Sequence, residues 1–257
     1  MNTKTSLLIA ILAAVMIMAG CGKSIIPIKG NGNVETETRA LSGFSSIDNE
    51  GAYEVYIIQD EVSEVSIEAE SNLISHIRTE INGSTLRIYS KENLKTHYAI
   101  KLYIRTPDVN RVTLSGSGLI DLGTVNTDKL EVTLSGSGDI KGTVYADNLG
   151  VGINGSGTAN ISVVTAALDT YISGSGDMYF SGTASTANFK ISGSGSVHAY
   201  ELAINSCYAN ISGSGDMYLH VIDYLGVKIS GSGSIYYYGY PQITTDISGS
   251  GSVVSVN

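Results

Sequence analysis

A tetrapeptide that recurs at a nearly constant interval constrains the fold of this chain more than any other feature. Ser-Gly-Ser-Gly occurs seven times and Asn-Gly-Ser-Gly once, and successive starts lie 18 to 20 residues apart. The starts are Ser115, Ser135, Asn154, Ser173, Ser192, Ser212, Ser230 and Ser248. Such even spacing is typical of a stacked repeat architecture and not of a flexible Gly/Ser linker.

Apolar residues keep fixed positions relative to each tetrad, counted here from its first residue as offset 0. Every repeat has Leu or Ile at offset −1, from Leu114 to Ile247, and further apolar residues recur at offsets −5 and +5. The alternation at odd offsets indicates β-strands, and the longer period indicates that equivalent residues stack in parallel, about 4.8 Å apart. We therefore predict an all-β fold, a parallel β-helix (β-solenoid) with rungs of about 19 residues.

The glycines of the tetrads have a predicted role in this fold. Alternation places the glycines at offsets +1 and +3 on the inner side and the residues at 0 and +2 on the outer side. We expect the missing side chains to permit a corner or a narrow wall, and the serines to form hydrogen bonds along the stack.

Residues 24–110 follow the pattern less regularly and predict an irregular cap over the N-terminal end of the solenoid. The segment Ile47 to Tyr53 aligns with Ile191 to Val197 through its apolar ends and its second glycine. Residues 65–69 alternate as a strand does, and Asn82-Gly83 lies between two alternating runs, which predicts a hairpin.

The N-terminus predicts export and lipid attachment. Residues 1–20 contain one cation, Lys4, and an apolar run that is shaped like a secretory signal peptide. The run ends in Ala19-Gly20-Cys21, which resembles a bacterial lipobox. We predict a signal peptide at 1–20, lipidation at Cys21 and a lipidated tether over 21–40 that attaches the protein to a membrane. The alternative is an ordinary signal peptide followed by an incidental cysteine.

Charge and cysteine content limit the possible partners and cofactors. The chain has 15 basic and 24 acidic side chains, a net charge of −9, so it lacks the basic surface of a nucleic-acid-binding protein. If Cys21 carries lipid, Cys207 is left without a partner, which excludes a disulfide and a cysteine-based metal site. Cys207 occupies the inward −5 position, so we expect a small buried residue, with a reactive thiol as the alternative.

The sequence predicts no catalytic site, metal or cofactor. The tetrad serines occur in near-equivalent copies, and the four histidines share no common offset, so no single serine is matched to a base. Acidic residues at offset +4, Asp139, Asp177 and Asp216, occur in alternate rungs, about 10 Å apart. That separation is too long for one metal ion or for a glycosidase pair, and no tetrad extends to a nucleotide-binding glycine motif.

One outward column of rings is a candidate binding site. At offset +6, four successive rungs present Tyr179, His198, Tyr218 and Tyr236. Stacked rings on a solenoid face can simply stabilise the strand ladder. They can also form a platform for sugar rings or for a protein partner.

The repeated tetrads, the tripeptide Gly152-Ile153-Asn154 and the segment Leu41 to Ile47 together resemble the auto-transporter adhesin family whose head is called the GIN domain. The resemblance covers about residues 40–257. It implies a right-handed parallel β-helix similar to pectin lyase folds but without their catalytic residues, and a role in adhesion. The predicted head domain is 41–257, with irregular coils over 41–110 and regular repeats over 111–257.

These observations favour a lipid-anchored, non-enzymatic β-helix of the cell envelope, expected at the outer membrane, which binds a glycan or a cell-surface protein. The rival hypotheses are a polysaccharide-active enzyme on a similar helix and a structural spacer without a ligand. The final rung, residues 247–256, carries no charge, so we also expect an exposed edge that pairs with a second copy in a homodimer.

Overall fold

The computed structural model describes residues 26–257. The predicted signal peptide at 1–20, the predicted lipidation site Cys21 and the first part of the predicted tether lie outside the described residues.

Strands account for most of the described chain, and a single short helix, α1 (Ser71–Ile74), follows the fifth of them. The strands are β1 (Ile28–Lys29), β2 (Val34–Arg39), β3 (Ser46–Asn49), β4 (Glu54–Gln59), β5 (Glu64–Glu70), β6 (Arg78–Asn82), β7 (Thr85–Tyr89), β8 (Leu94–Lys95), β9 (Lys101–Thr106), β10 (Arg111–Leu114), β11 (Leu119–Leu134), β12 (Asp139–Ile153), β13 (Thr158–Ile172), β14 (Asp177–Ile191), β15 (Val197–Ile211), β16 (Met217–Ile229), β17 (Ile235–Tyr238), β18 (Gln242–Ile247) and β19 (Val253–Ser255).

Strands β11 to β16 form the regular part of the fold, and each pairs in parallel with the next. Residues at the same offset are direct neighbours, as Leu134 pairs with Ile153 and Ile153 with Ile172. The predicted all-β fold is confirmed as a β-solenoid of about 8 rungs with a spacing of about 19 residues.

The interior of the solenoid is a set of apolar columns that run along its axis. The side chains at offset −1 from Leu114 to Ile229 are at most 1% exposed, and those at −5 from Leu130 to Leu225 and at +5 from Ile120 to Ile235 are at most 2% exposed. Removing each such Leu or Ile from water contributes about 1.5–3 kcal/mol. Cys207 lies in the −5 column and is fully buried, and this burial raises the pKa of its thiol. The prediction of a small buried residue at this position is therefore confirmed.

The tetrads form a corner that repeats in every rung, and here the structure changes the predicted reason for the glycines. A Cβ at Gly193 would lie well inside van der Waals contact with the carbonyl oxygen of Gly174, its equivalent in the preceding rung. The Ser194 N–H donates to that same oxygen at 3.0 Å, so the hydrogen-bond ladder continues through the corner. The glycines are required because side chains here would point along the stack into the neighbouring backbone. The serines face outward, as predicted.

In the N-terminal cap, the order in which the strands stack differs from their order in the sequence. Strands β3 and β4 pair in parallel with β10 and β11 on one side and with β7 and β9 on the other. The later residues 85–106 therefore form the outer rung. Antiparallel strands cover that rung, since β5 pairs with β9, β2 with β5, and β6 with β7 through the predicted hairpin at Gly83. The irregular cap is as predicted.

The predicted register of the first rung is wrong by two residues. Asn49, and not Ile47, pairs with Leu114 and so occupies the −1 position. The buried Asn49 side chain donates to the Tyr53 carbonyl oxygen at 3.1 Å and accepts from the Gly51 N–H at 3.1 Å. An alignment of apolar residues misses this register because a polar side chain, satisfied by the turn that follows it, takes a core position.

The last rung of the described structure has an open edge. Strands β18 and β19 pair only on one side, with β16 and β17. Ile243 and Ile247 are 39% and 42% exposed, whereas Leu225 and Ile229, at the same offsets one rung earlier, are 0% exposed. The expected exposed edge is therefore present, with core-type side chains in contact with solvent.

Candidate functional site

The four rings predicted at offset +6 form one continuous stack on the surface. Their ring centroids lie 4.5 Å apart from Tyr179 to His198, 4.9 Å from His198 to Tyr218 and 5.2 Å from Tyr218 to Tyr236. Adjacent rings are within 10° of parallel. We call these four residues the ring column. The stack exists because the parallel register places each ring directly beside the next.

The geometry of the ring column limits what it can offer to a ligand. The centroid separations match the spacing of about 4.8 Å between strands, so each inner ring has neighbours against both of its faces. His198, Tyr218 and Tyr236 are only half exposed. The column therefore presents ring edges and hydroxyl groups along its length. At the Tyr179 end the next residue in the column is Asn160, so the stack of rings ends there.

A bulge beside the ring column adds an exposed ring that sequence reasoning missed. The register between β14 and β15 shifts after Tyr179, which leaves an extra residue in β15 at Tyr200. The Tyr200 ring lies edge-on to Tyr218, with centroids 5.6 Å apart and planes at 76°. Partial burial beside Tyr218 raises the pKa of the Tyr200 phenol, which keeps it a neutral hydrogen-bonding group. Unequal tetrad spacing on either side of Ser212 is the sequence signal that marks this bulge.

The bulge and the open end of the column enclose a surface groove of about 310 Å³. The groove is lined by Asn160, Tyr179, Phe180, Ser181, His198, Tyr200 and Glu201. An aromatic ring with nearby amide, hydroxyl and carboxylate groups can bind a polar ligand that also has an apolar face. The groove is thus the part of the column best shaped for a ligand.

The same offset continues through the rest of the solenoid with different chemistry. Beyond Asn160 it holds Lys141 and Asp121, whose side chains form an ion pair at 3.3 Å. Beyond these lie Tyr56 and Tyr103, which stack with centroids 5.2 Å apart. Sequence reasoning missed this second ring pair because the register of the cap follows from a chain order that the repeat does not reveal.

The acidic residues at offset +4 have a structural role in two rungs. The Asp177 carboxylate accepts a hydrogen bond from the Ser196 N–H at 2.8 Å, and the Asp216 carboxylate accepts one from the Ser234 N–H at 2.7 Å. Each thus satisfies a backbone donor of the next rung, which explains why Asp and Ser alternate there. Within residues 26–257 no three His, Cys, Asp or Glu side chains are close enough to hold a metal ion.

A buried carboxylate lies in the cap, far in sequence from the ring column. The Glu70 side chain is 1% exposed and accepts hydrogen bonds from the Gly32 N–H at 2.6 Å and from the His97 N–H at 2.9 Å. The His97 ring nitrogen Nδ1 lies 2.8 Å from the same carboxylate. Burial alone would raise the pKa of Glu70, but these hydrogen bonds outweigh burial and hold the pKa below its ordinary value.

Comparison with known proteins identifies the family. The family model described as "Putative auto-transporter adhesin, head GIN domain" matches residues 43–178 and 147–241. The chain belongs to this GIN-domain family. The relation proposed above from the tetrads and from Gly152-Ile153-Asn154 is therefore confirmed, and the family is described as an adhesin family and not as an enzyme family.

Solved structures share the fold of this GIN-domain protein. A protein of Parabacteroides distasonis named as a putative lipid binding protein is 28% identical, with a TM-score of 0.85 over 90% of this chain and 100% of its own. A putative adhesin of Parabacteroides merdae is 22% identical, with a TM-score of 0.83 over 90% and 99%. A putative adhesin of Bacteroides fragilis is 23% identical, with a TM-score of 0.66 over 89% and 100%. No curated protein matches the sequence.

The adhesin family points to a cell-surface or envelope protein. In the part of the chain that the structure describes, no helix is long and apolar enough to cross a membrane.

Proposed function

We propose that this GIN-domain protein is a non-enzymatic adhesin of the cell envelope, held at the outer membrane by lipid on Cys21, which binds a glycan or a cell-surface protein through the ring column and its groove. The observation that carries the proposal is the column itself. Four rings at the surface are kept in register on a scaffold whose described residues include no group of three His, Cys, Asp or Glu side chains that could hold a metal ion.

Membership of an adhesin family supports the binding role, and the regularity of the solenoid supports a binding surface over an active site. An enzyme built on such a helix would need one rung that departs from the pattern with converging carboxylate or cationic groups. The departure beside the ring column, the bulge at Tyr200, adds a ring to the lining of the groove instead. These features support a role in contact over a role in catalysis.

Removing the rings tests the contact surface. In the triple variant Tyr179→Ser, Tyr218→Ser, Tyr236→Ser, adherence of cells that display the full chain to polysaccharide-coated and mucin-coated surfaces is expected to fall at least about tenfold. Each stacked pair that is lost also costs about 0.5–1.5 kcal/mol of folding free energy, so thermal unfolding is measured in parallel. The matched control is Tyr98→Ser, which removes an exposed tyrosine of the cap. If the triple variant folds and adherence is unchanged, the rings only stabilise the ladder of strands and do not bind the surface.

A second test concerns the anchor. Cys21 directly follows Ala19-Gly20 at the end of the apolar run, the position at which a lipobox cysteine is acylated. Stable anchoring requires more than one acyl chain, and all of them are expected on this residue. Cys21→Ser is therefore expected to move the protein from the membrane fraction to the soluble fraction, whereas Cys207→Ser should leave the distribution unchanged. Persistent membrane association of Cys21→Ser would exclude the anchor.

A further inference from the structure

A second outward surface lies on the other side of the tetrad corner from the ring column. It is formed by the residues at offsets −6, −4 and −2, from Lys129 in β11 to Asp246 in β18, and we call it the polar face. Its rungs are in parallel register throughout, so it is a ribbon about 30 Å long at a rise of about 4.8 Å per rung. Two grooves follow one another along this face and share Asn188.

The polar face has glycines at positions where a strand usually carries a side chain. Gly150, Gly152 and Gly226 lie inside strands with backbone angles that any residue adopts, so no turn requires them. Glycine weakens a strand interior and often marks a place where another group approaches closely. Here the glycines leave recesses in an otherwise continuous surface.

Two tyrosine rings lie over these recesses. The Tyr171 ring occupies the space that a side chain at Gly152 would fill, and the Tyr208 ring lies over Gly226 in the same way. Tyr171 is 41% exposed and Tyr208 is 57% exposed. These rings lie across the neighbouring rung, unlike those of the ring column, and the Tyr208 ring also packs beside Tyr224, with centroids 5.6 Å apart and planes at 58°. The exposed part of each ring faces solvent. An open aromatic face is the surface on which the C–H groups of a sugar ring stack.

Polar groups able to bind hydroxyls surround both rings. The first groove, of about 480 Å³, contains Asp169, Asn188 and Lys190 beside Tyr171, and the Asn188 amide donates to the Asp169 carboxylate at 3.3 Å. The second groove, of about 300 Å³, contains Asn210 and Lys228 beside Tyr208. Amide and carboxylate groups held next to each other can both donate to and accept from a hydroxyl-rich ligand.

The formal charges of the polar face cancel. Three cations and three anions line it, and two of the cations are already paired with anions, at 3.2 Å and 3.8 Å. The six residues are Lys129, Lys190, Lys228, Glu131, Asp169 and Asp246. The chain as a whole carries −9, so this neutral ribbon suits an uncharged ligand and disfavours an anionic polymer.

From these features we infer that the polar face binds a neutral polysaccharide chain, laid along the solenoid axis, with sugar rings stacked on Tyr171 and Tyr208 and hydroxyl groups bound by the amides and carboxylates between them. A protein partner fits less well, because charged residues are depleted at the centre of protein interfaces and here they lie between the rings. The inference rests on the proposed binding role and adds a second glycan-binding surface to the ring column.

The test uses the full chain in a detergent without a sugar headgroup, applied to an array of neutral and anionic glycans, followed by titration of the best neutral oligosaccharide. Binding of at least one neutral glycan is expected, with no binding of polygalacturonate or heparin. Tyr171→Ser and Tyr208→Ser should each weaken the affinity about tenfold, as loss of a buried aromatic contact does. Tyr145→Ser, on a different face and 45% exposed, is the matched control and should have no effect.

A further variant fills the groove without weakening the fold, so that a loss of glycan affinity cannot be caused by unfolding. Gly150→Thr places a β-branched side chain in a strand, where only the movable Glu131 carboxylate must shift, so thermal stability should hold or rise while glycan affinity falls about tenfold. Binding that is unchanged in Gly150→Thr, Tyr171→Ser and Tyr208→Ser overturns the assignment, as does the absence of binding to every neutral glycan. If cells displaying the chain still adhere in either case, the proposed adhesin function stands and only the polar face is excluded. Absence of adherence in the wild-type chain rejects the proposed function itself.

Discussion

Single glycines control how closely the rungs approach at the tetrad corner. At offset +1, from Gly136 to Gly249, a Cβ would clash with the carbonyl oxygen of the equivalent glycine in the preceding rung. The serine that follows is exposed, and from Ser156 to Ser250 it makes its ladder hydrogen bond through the backbone. A side chain at the glycine position would point along the stack into the preceding rung, whereas the serine side chain points into solvent. The glycine therefore tolerates larger residues poorly, and the serine beside it can be replaced.

Gly193→Ala is expected to destabilise the fold by about 1–3 kcal/mol, since the new methyl group must push the backbone of the Gly174 corner away. A domain of this size then unfolds a few degrees lower, at about 2–4 °C per kcal/mol. Thermal unfolding followed by circular dichroism measures the shift. Ser194→Ala is the control and should unfold within about 0.5 kcal/mol of the wild type. Equal melting temperatures for the two variants would refute the account of the corner.

At the scale of elements, a carboxylate attaches the short strand β1 to the cap. The Glu70 side chain binds the Gly32 N–H, just beyond β1, and the His97 N–H, just beyond β8, which is the partner of β1. Asn72 adds a side-chain hydrogen bond to the Lys29 carbonyl oxygen at 2.8 Å. Residues 26–33 lie within the predicted tether over 21–40, so this attachment fixes where the tether joins the cap relative to the membrane anchor that we propose.

This attachment should weaken in acid. The pKa of Glu70 in the folded protein lies below its ordinary value, so the stabilisation is complete above the ordinary carboxyl range and is lost as the pH falls through the lower, folded pKa. Hydrogen exchange at the Gly32 and His97 amides is expected to accelerate below about pH 4, after correction for the intrinsic rate. Glu70→Gln should show the fast exchange already at pH 7, because an amide cannot accept from all these donors.

The control for this prediction is Glu68→Gln. Glu68 pairs with Lys101 on the surface, at 3.0 Å, and both side chains are 34% exposed. Its loss should leave exchange at Gly32 and His97 unchanged. Protection at those two amides that persists in Glu70→Gln would show that β1 is held by other contacts.

At the scale of the whole molecule, the two ends of the described solenoid differ. The N-terminal end is covered by antiparallel strands and α1, whereas the last rung has an open edge with Ile243, Ile247, Val254 and Val256 between 37% and 44% exposed. The charge of Asp246 on this rung is paired with Lys228 at 3.8 Å. An apolar, nearly uncharged strand edge is a template for another strand, and a second copy related by a two-fold axis closes it.

We therefore propose that a soluble form spanning residues 22–257 forms a homodimer through β18 and β19. Val254→Lys adds a charge to the edge of each copy and should yield a monomer. Light scattering measures both, with Tyr98→Ser as a surface control. A wild-type protein that is strictly monomeric and indistinguishable from Val254→Lys would rule out the dimer.

The sequence by itself determined the parallel solenoid, because a period of about 19 residues with alternating apolar positions has only one way to bury its apolar columns, which is to stack equivalent residues. It determined the inward position of Cys207 and the alignment of the four rings at +6 for the same reason. The resemblance to the GIN-domain family followed from the same tetrads. These features depend on the alternation of apolar residues and on the repeat period, and both can be read directly from the sequence.

Only the tertiary structure decided the order of the cap, where residues 85–106 lie outside residues 46–59, and the register that places Asn49 in a core position. It also decided that the rings of the column cover one another, while Tyr171 and Tyr208 lie across glycines of the neighbouring rung and remain exposed. Non-local pairing and the direction of a side chain relative to the neighbouring rung are set by contacts between residues far apart in the chain. A repeat pattern specifies which residues are neighbours, but the packing of each rung against the next decides which surfaces remain free.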